Sequence, residues 1–133
     1  MITVFGGTPN QRKYAESIAI YVCQKFNIEP TVEVNFKCMG NDPNYGYCYH
    51  VDNNYFEIEI KRSLHMREML TTLAHELVHV KQYLEGTLTQ NNEDDVDYWD
   101  RPSEIEAHGR ETGLFIRWCE QENLGHLKWV HTG

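Results

Sequence analysis

The sequence predicts an α+β fold, with a small sheet and several helices in one domain. Apolar residues recur at helical spacing in three segments, near residues 10–26, 64–84 and 101–120. Between the first two segments, apolar and polar residues alternate with the two-residue period of β-strands. A chain of 133 residues is long enough to bury one core and short for two, so residues 1–133 are expected to form a single domain.

The first half of the chain is predicted to contain one helix and three strands. A Gly-Gly-Thr-Pro turn precedes the helix at residues 10–26, and turn-forming residues end it before a strand at 31–37. Two further strands, at residues 45–51 and 55–60, flank the turn at 52–54. Their short connection predicts a hairpin, which gives a three-stranded sheet.

The second half is predicted to contain two helices joined by a loop. The period becomes helical at residues 64–84, and Gly86 is placed to cap the end of that helix. Residues 87–100 are polar and strongly acidic, which indicates a loop. Pro102 suits the first turn of a final helix over residues 101–120. The predicted order is N-terminal helix, three strands, helix, acidic loop and C-terminal helix.

The overall charge and the start of the chain argue against some classes of partner. A formal net charge of −8 disfavours a surface that tracks nucleic-acid phosphates, so no nucleic-acid partner is expected. The first residues lack the pattern of a signal peptide, and no apolar run approaches membrane-spanning length. We therefore expect a cytoplasmic protein without a membrane partner. The four cysteines are scattered and are expected to be reduced, mostly buried thiols, namely Cys23, Cys38, Cys48 and Cys119.

The segment His75-Glu76-Leu77-Val78-His79 has the pattern HExxH within the predicted helix 64–84. Histidines four residues apart lie on one helical face, so both rings can bind one zinc ion, while the glutamate between them acts as general base on water. A helical projection places His75 and His79 away from the main apolar stripe and towards a cleft. The apolar stripe consists of Met66, Leu70, Leu73, Leu77 and Leu84.

A catalytic zinc site needs a third protein ligand, and the last predicted helix offers Glu104, Glu106 and His108. At about 100° per residue, Glu104 points inward, in the direction of a cluster of apolar residues. By the same projection Glu106 points into solvent. Glu104 is therefore the favoured ligand, with Glu106 and His108 as alternatives. His108 and Glu111 follow Glu104 on the inward stripe and are candidates to orient a ligand.

The motif His75 to His79, followed by Glu104-Ile105-Glu106-Ala107-His108, resembles the gluzincin clan of zinc metallopeptidases. The chain is similar in build to minimal gluzincins and to small metallopeptidase-like proteins of bacteria and phages. The resemblance implies a minimal zincin-like fold, and one Zn²⁺ held by His75, His79 and Glu104. It also implies hydrolysis of peptide bonds with Glu76 as general base, and it puts His108 where the clan often has aspartate. A second resemblance, to SprT-like proteases, would make His108 the third ligand.

Several functional features stay open at this level. Peptides or proteins are the expected substrates, and the strand at 55–60 is expected to be an edge strand that pairs with them or simply resists aggregation. The acidic residues 93–97 either select basic substrates or form a solvated loop. Tyr83, Tyr98 and His108 are candidates to stabilise an oxyanion. The alternatives to a peptidase are a zinc-stabilised binding or regulatory module and a hydrolase of non-peptide amides. The oligomeric state is not predicted.

Overall fold

A four-stranded sheet packs against two of three α-helices, and the third helix packs against those two, in the computed structural model, which describes residues 1–132. This arrangement confirms the predicted α+β class. The elements in chain order are β1 (Ile2–Phe5), α1 (Pro9–Lys25), β2 (Thr31–Lys37), β3 (Gly46–Asp52), β4 (Tyr55–Lys61), α2 (Met66–Glu85) and α3 (Pro102–Gln121), with short 3₁₀ helices at Tyr98–Asp100 and Lys128–His131.

The sheet has the order β1-β2-β4-β3, so the predicted sheet of three strands was one strand too small. Strands β3 and β4 form the predicted antiparallel hairpin, while β1 pairs parallel with β2 and β2 with β4. Strand β1 escaped prediction because four residues are too few to show a period. Ile2 of β1 pairs with Val32 of β2, which lies 30 positions later in the chain. The ammonium group of Met1 also donates to the Pro30 carbonyl, at 2.9 Å, next to the start of β2.

The expectation that residues 55–60 form an edge strand was wrong. Strand β4 lies between β2 and β3 and is paired on both sides. The hairpin strand at the edge of the sheet is β3. A parallel partner from a distant segment cannot be read from the local pattern of β4, whose alternation is the same at an edge and in the interior.

The inner face of the sheet and the buried sides of α1, α2 and α3 form the core. The inward side chains of β2 and β4 are buried, while those on the opposite face are partly exposed. Helix α2 crosses this core, and all eight residues from 73 to 80 are buried. Gly86 adopts the left-handed conformation with φ 79° and ends the helix as predicted. The motif histidines therefore lie on a helix that is held on several sides.

Helix α3 packs against α2 and α1, and the apolar positions that the projection identified are buried. They are Ala107, Leu114, Phe115, Trp118 and Cys119. The acidic loop is tied to the start of this helix, because the Glu93 carboxylate accepts hydrogen bonds from both the backbone N–H, at 3.1 Å, and the hydroxyl of Ser103. A carboxylate there satisfies an unpaired amide and complements the helix dipole. Glu93 thus caps α3.

The expectation that the cysteines are free thiols is confirmed, while their burial varies. All four thiols are free; Cys23 and Cys119 are buried, and Cys38 is exposed. Burial raises the pKa of Cys23 to about 11. None of the helices within residues 1–132 combines the length and the apolar character required to cross a bilayer.

Candidate metal centre

The two motif histidines lie in the buried middle of α2. His75 and His79 are only 7% and 6% exposed. Their ring centroids are 4.9 Å apart with an interplanar angle of 83°, so the two rings approach edge to face. Because His75 and His79 are four residues apart, both rings lie on one side of α2, the side that faces α3.

Glu104 extends from the first turn of α3 to both histidines. Its Oε1 lies 3.0 Å from Nε2 of His75, and its Oε2 lies 3.0 Å from Nε2 of His79. The side chain is 14% exposed. The inward direction predicted for Glu104 agrees with this position, since the helical period that buries Ala107 also turns Glu104 towards α2.

The Nδ1 atoms of both rings are occupied by other side-chain oxygens. Nδ1 of His75 lies 3.0 Å from Oε1 of Glu111, and Nδ1 of His79 lies 2.8 Å from Oε1 of Gln82. In the neutral imidazole, an oxygen acceptor at Nδ1 favours the tautomer with the proton on that atom, so that Nε2 carries the lone pair that a metal ion accepts. Both rings are therefore oriented with Nε2 towards Glu104.

Gln82 is itself held by two acceptors. Its Nε2 donates to the backbone carbonyl of Ser103 at 3.0 Å and to Oε1 of Glu106 at 2.9 Å. Because both acceptors face the amide nitrogen, the amide oxygen must face His79. The Glu106 carboxylate also accepts from Lys81 at 2.8 Å. The expectation that Glu106 points into solvent was therefore wrong: it joins α3 to α2, away from the two Nε2 atoms.

The three donor atoms fit a divalent metal ion. Nε2 of His75, Nε2 of His79 and a carboxylate oxygen of Glu104 lie within 4.8 Å of one another. Ligand atoms around a tetrahedral zinc ion at about 2.0–2.1 Å would be about 3.3 Å apart, close to the observed nitrogen–oxygen separations. Two imidazoles and a carboxylate are donors that zinc accepts. This group of residues could hold a metal ion with small shifts of its side chains.

His75 and His79 are placed to form ion pairs with Glu104. Burial lowers the pKa of His75, but its hydrogen bonds to Glu104 and Glu111 outweigh that effect and raise the pKa to about 10. Burial raises the pKa of Glu104, but the hydrogen bonds from His75 and His79 outweigh it and hold the pKa well below its usual range. Glu104 thus stays negatively charged. A cation placed between the two histidine rings would neutralise this charge in place of the protons on the histidines.

Glu76 lies next to His75 on α2 and is 6% exposed. It is not one of the three converging side chains, but it lines two cavities that open beside His75. Burial raises the pKa of Glu76, while the neighbouring His75 and His79 oppose the shift. Glu76 therefore adjoins both cavities and the two motif histidines.

His108 contacts the site from a more exposed position. Its Nδ1 lies 2.9 Å from Oε1 of Glu111, and its Nε2 lies 3.9 Å from Oε1 of Glu104. His75, His108 and Glu111 form a second group that could hold a metal ion. Over residues 1–132, no such group combines His75, His79 and His108.

Among the candidates for oxyanion stabilisation, Tyr98 is the one whose hydroxyl contacts a converging side chain. The hydroxyl donates to Oε1 of Glu104 at 2.9 Å and lies 3.0 Å from Nε2 of His108. Burial and the Glu104 carboxylate raise the pKa of Tyr98 well above its usual range, so the phenol keeps its proton. Tyr83 lies farther along α2, where its ring packs 4.9 Å from that of His50.

Two cavities meet at the converging side chains. One has a volume of about 360 Å³ and lies between β3 and the loop 87–100; the other is about 580 Å³ and lies towards Trp99 and Glu111. His75, Glu76 and Tyr98 line both. A molecule spanning the two cavities would therefore adjoin these three side chains.

The sequence interpretation did not include Gln82 or Gly46, the first residue of β3. Gln82 is three positions after His79, a spacing that brings side chains together on a helix, and this signal could have suggested the contact. Gly46 lines both cavities, but nothing local marks that position. No family model, curated protein or solved structure matches this chain. A functional assignment therefore depends on the geometry of the site.

Proposed function

We propose that this protein is a zinc-dependent metallopeptidase. The observation that carries the proposal is the convergence of the Nε2 atoms of His75 and His79 on the two carboxylate oxygens of Glu104, each at 3.0 Å. Three protein ligands from two helices are typical of catalytic zinc sites, whereas structural sites more often have four.

His75, His79 and Glu104 would hold the ion. When bound, zinc would polarise a substrate carbonyl and lower the pKa of a water molecule in the open coordination position. The oxygens of Glu111 and Gln82 at the two Nδ1 atoms support this assignment, because they keep both Nε2 lone pairs directed at one place. His108 is a weaker ligand candidate because it is exposed and faces Glu111 and Tyr98.

Glu76 would act as general base and then as general acid. Its carboxylate takes a proton from the attacking water and delivers it to the amine nitrogen that leaves when the peptide bond breaks. Its position on both cavities supports this role, because the substrate and the water must meet there.

Tyr98 would support the carbonyl oxygen as negative charge develops on it. Its protonated hydroxyl lies 2.9 Å from Glu104 and can turn to donate to an oxygen bound beside that carboxylate. Donors arranged in advance around such an oxygen are worth about 10²–10³ in rate.

A peptide substrate is favoured by the free edge of β3. Gly46, Tyr47 and Cys48 belong to this edge strand and line the cavity of about 360 Å³. Unpaired backbone groups at a sheet edge can pair with an extended peptide, which would lay its amide bonds past Glu76. This edge takes the role that the sequence interpretation gave to residues 55–60.

The proposal is tested by metal analysis and by peptide cleavage. Protein purified without chelator is expected to contain one zinc ion per chain by elemental analysis. The variant Glu76→Gln should retain zinc but lose cleavage of a peptide mixture by about 10²- to 10⁴-fold, measured by mass spectrometry. Glu68→Gln, on the same helix, is the matched control and should cleave like wild type.

Each other result favours a different conclusion. Stoichiometric zinc without cleavage by wild type would reject the peptidase and favour a zinc-stabilised binding module. Equal cleavage by Glu76→Gln and wild type would reject the general base. Absence of bound zinc would reject the proposal altogether.

A further inference from the structure

Two exposed aromatic side chains flank the larger cavity beside His75. Trp99 is 71% exposed and Tyr45 is 47% exposed. Tyr45 precedes β3, and Trp99 lies in the 3₁₀ helix before α3, so segments distant in sequence place the two rings on one cavity of about 580 Å³. Large apolar groups left in water around a concave surface are characteristic of a binding site.

Trp99 is exposed but not loosely held. Its ring centroid lies 5.0 Å from that of Tyr98 at an angle of 90°, and 4.9 Å from that of His108 at 34°. Tyr98 is in turn hydrogen-bonded to Glu104. These contacts hold the indole beside the converging side chains while most of its surface faces water.

The two cavities offer different chemistry to a substrate. The smaller one is lined on the loop side by polar and acidic residues such as Thr89, Gln90, Glu93 and Asp94. The larger one has Pro43, Tyr45 and Trp99 on its walls. The acidic groups of the larger cavity are Glu76 and Glu111, and Glu111 is already engaged with His75 and His108. Aromatic walls with this residual negative charge suit an apolar side chain and repel an acidic one.

We propose that the cavity between Tyr45 and Trp99 binds a large apolar or aromatic side chain of the substrate, next to the bond that is cleaved. This inference rests on the proposed function, since it assigns the substrate class of the same site. The cavity opens on Glu76, so a side chain that fills it belongs to a residue adjoining the reacting carbonyl. Aromatic rings favour such a group through burial of apolar area and through edge-to-face contacts.

The test compares two small hydroxamates that share one metal-binding group. Phenylacetohydroxamic acid carries a phenyl ring that acetohydroxamic acid lacks, and binding of each to the zinc-loaded protein is measured by calorimetry. The ring should improve affinity by at least about tenfold in wild type. In Trp99→Ala and in Tyr45→Ala this ratio should fall towards one, while the affinity for acetohydroxamic acid stays the same.

Two further variants serve as controls. Trp99→Phe keeps an aromatic ring and should retain most of the ratio. Phe5→Ala removes another exposed aromatic, 46% exposed on the distant edge strand β1, and should leave the ratio at its wild-type value. Equal binding of the two compounds by wild type overturns the inference. An affinity ratio that is unchanged in both Trp99→Ala and Tyr45→Ala also overturns it, whether the affinities for the two compounds stay the same or fall equally.

Cleavage of a peptide mixture separates this inference from the proposed function. Cleavage without any preference for large apolar residues beside the broken bond would overturn the inference and leave the peptidase intact. If the zinc-loaded protein favours the phenyl compound but cleaves nothing, the assignment of the cavity as an apolar binding site is supported and the peptidase is rejected. A protein that binds no zinc and neither compound would overturn both.

Discussion

The side-chain oxygen of Gln82 lies 2.8 Å from Nδ1 of His79, one helical turn earlier on α2. The Gln82 amide nitrogen donates to Ser103 and Glu106 of α3, so the same amide joins the ligand helix to the neighbouring helix. Gln82 is 2% exposed and has little freedom to turn. Gln82 thereby orients the His79 ring through Nδ1, while Nε2 faces Glu104.

The first prediction is that Gln82→Ala weakens zinc binding. Loss of the oxygen at Nδ1 frees the tautomer and the rotation of His79, and partners of this kind typically contribute about 10- to 100-fold to metal affinity. Competition with a fluorescent chelator measures the change. Gln121→Ala, an exposed glutamine of α3, is the control. Wild-type zinc affinity in Gln82→Ala would show that His79 needs no such support.

The second prediction distinguishes the third ligand. Glu104→Ala should lose stoichiometric zinc, because it removes the oxygens 3.0 Å from both Nε2 atoms. His108→Ala should retain zinc with at most a small loss of affinity, since the His108 ring nitrogens lie nearest to Glu111 and Tyr98, and its Nε2 is 3.9 Å from Glu104. Elemental analysis of both proteins decides between them. Zinc retained in Glu104→Ala but lost in His108→Ala would favour the SprT-like arrangement.

How far the sequence predicts this site depends on the range of each interaction. Helical period alone directed His75, His79 and Glu104 to common faces, because position on a helix depends on neighbours three and four residues away. The same period failed for Glu106, whose partners Lys81 and Gln82 belong to another helix. A direction that is outward for α3 alone points at α2 once the two helices pack.

The sheet shows the same division between local and distant information. The hairpin of β3 and β4 was predictable from two alternating runs around a short turn. The parallel pairing of β1 with β2, and of β2 with β4, involves segments separated by a helix or by a hairpin strand. No local pattern carries that information, and so the edge strand beside the site was misassigned.

The third prediction concerns Glu106 and pH. Burial raises the pKa of Glu106, but hydrogen bonds from Lys81, Gln82 and Arg110 outweigh it and lower the pKa to about 2. A folded-state pKa below the unfolded value of about 4.3 means that this carboxylate stabilises the fold at pH 7, and that the contribution is lost as pH falls from about 4.5 towards about 2.

Glu106→Gln should therefore lower the free energy of unfolding at pH 7, and the difference from wild type should shrink progressively below pH 4.5. Urea denaturation of the metal-free proteins between pH 7 and pH 3 measures this. Glu120→Gln, at an exposed position of the same helix, is the control. A difference that stays constant with pH would assign the effect to packing rather than to charge.

The fourth prediction concerns Gly46, where β3 approaches α2. A methyl group at this position would lie 2.9 Å from Cγ2 of Thr72, 3.0 Å from the carbonyl oxygen of Glu59 and 3.1 Å from Cδ1 of Ile60. The backbone oxygen cannot move without disturbing the hairpin. Gly46→Ala should therefore force the start of β3 away from α2 and destabilise the fold by about 1–3 kcal/mol.

Because Gly46 also lines both cavities beside Glu76, the same shift should impair peptide cleavage more than zinc binding. Urea denaturation, cleavage rate and zinc content are measured on one preparation. Gly113→Ala is the matched control: a methyl there meets no atom within 4 Å, and alanine in an exposed helix should stabilise by about 0.5–1 kcal/mol. Gly46→Ala with wild-type stability and cleavage would mean that the strand edge can move without consequence, and would remove the support that β3 gives to a peptide substrate.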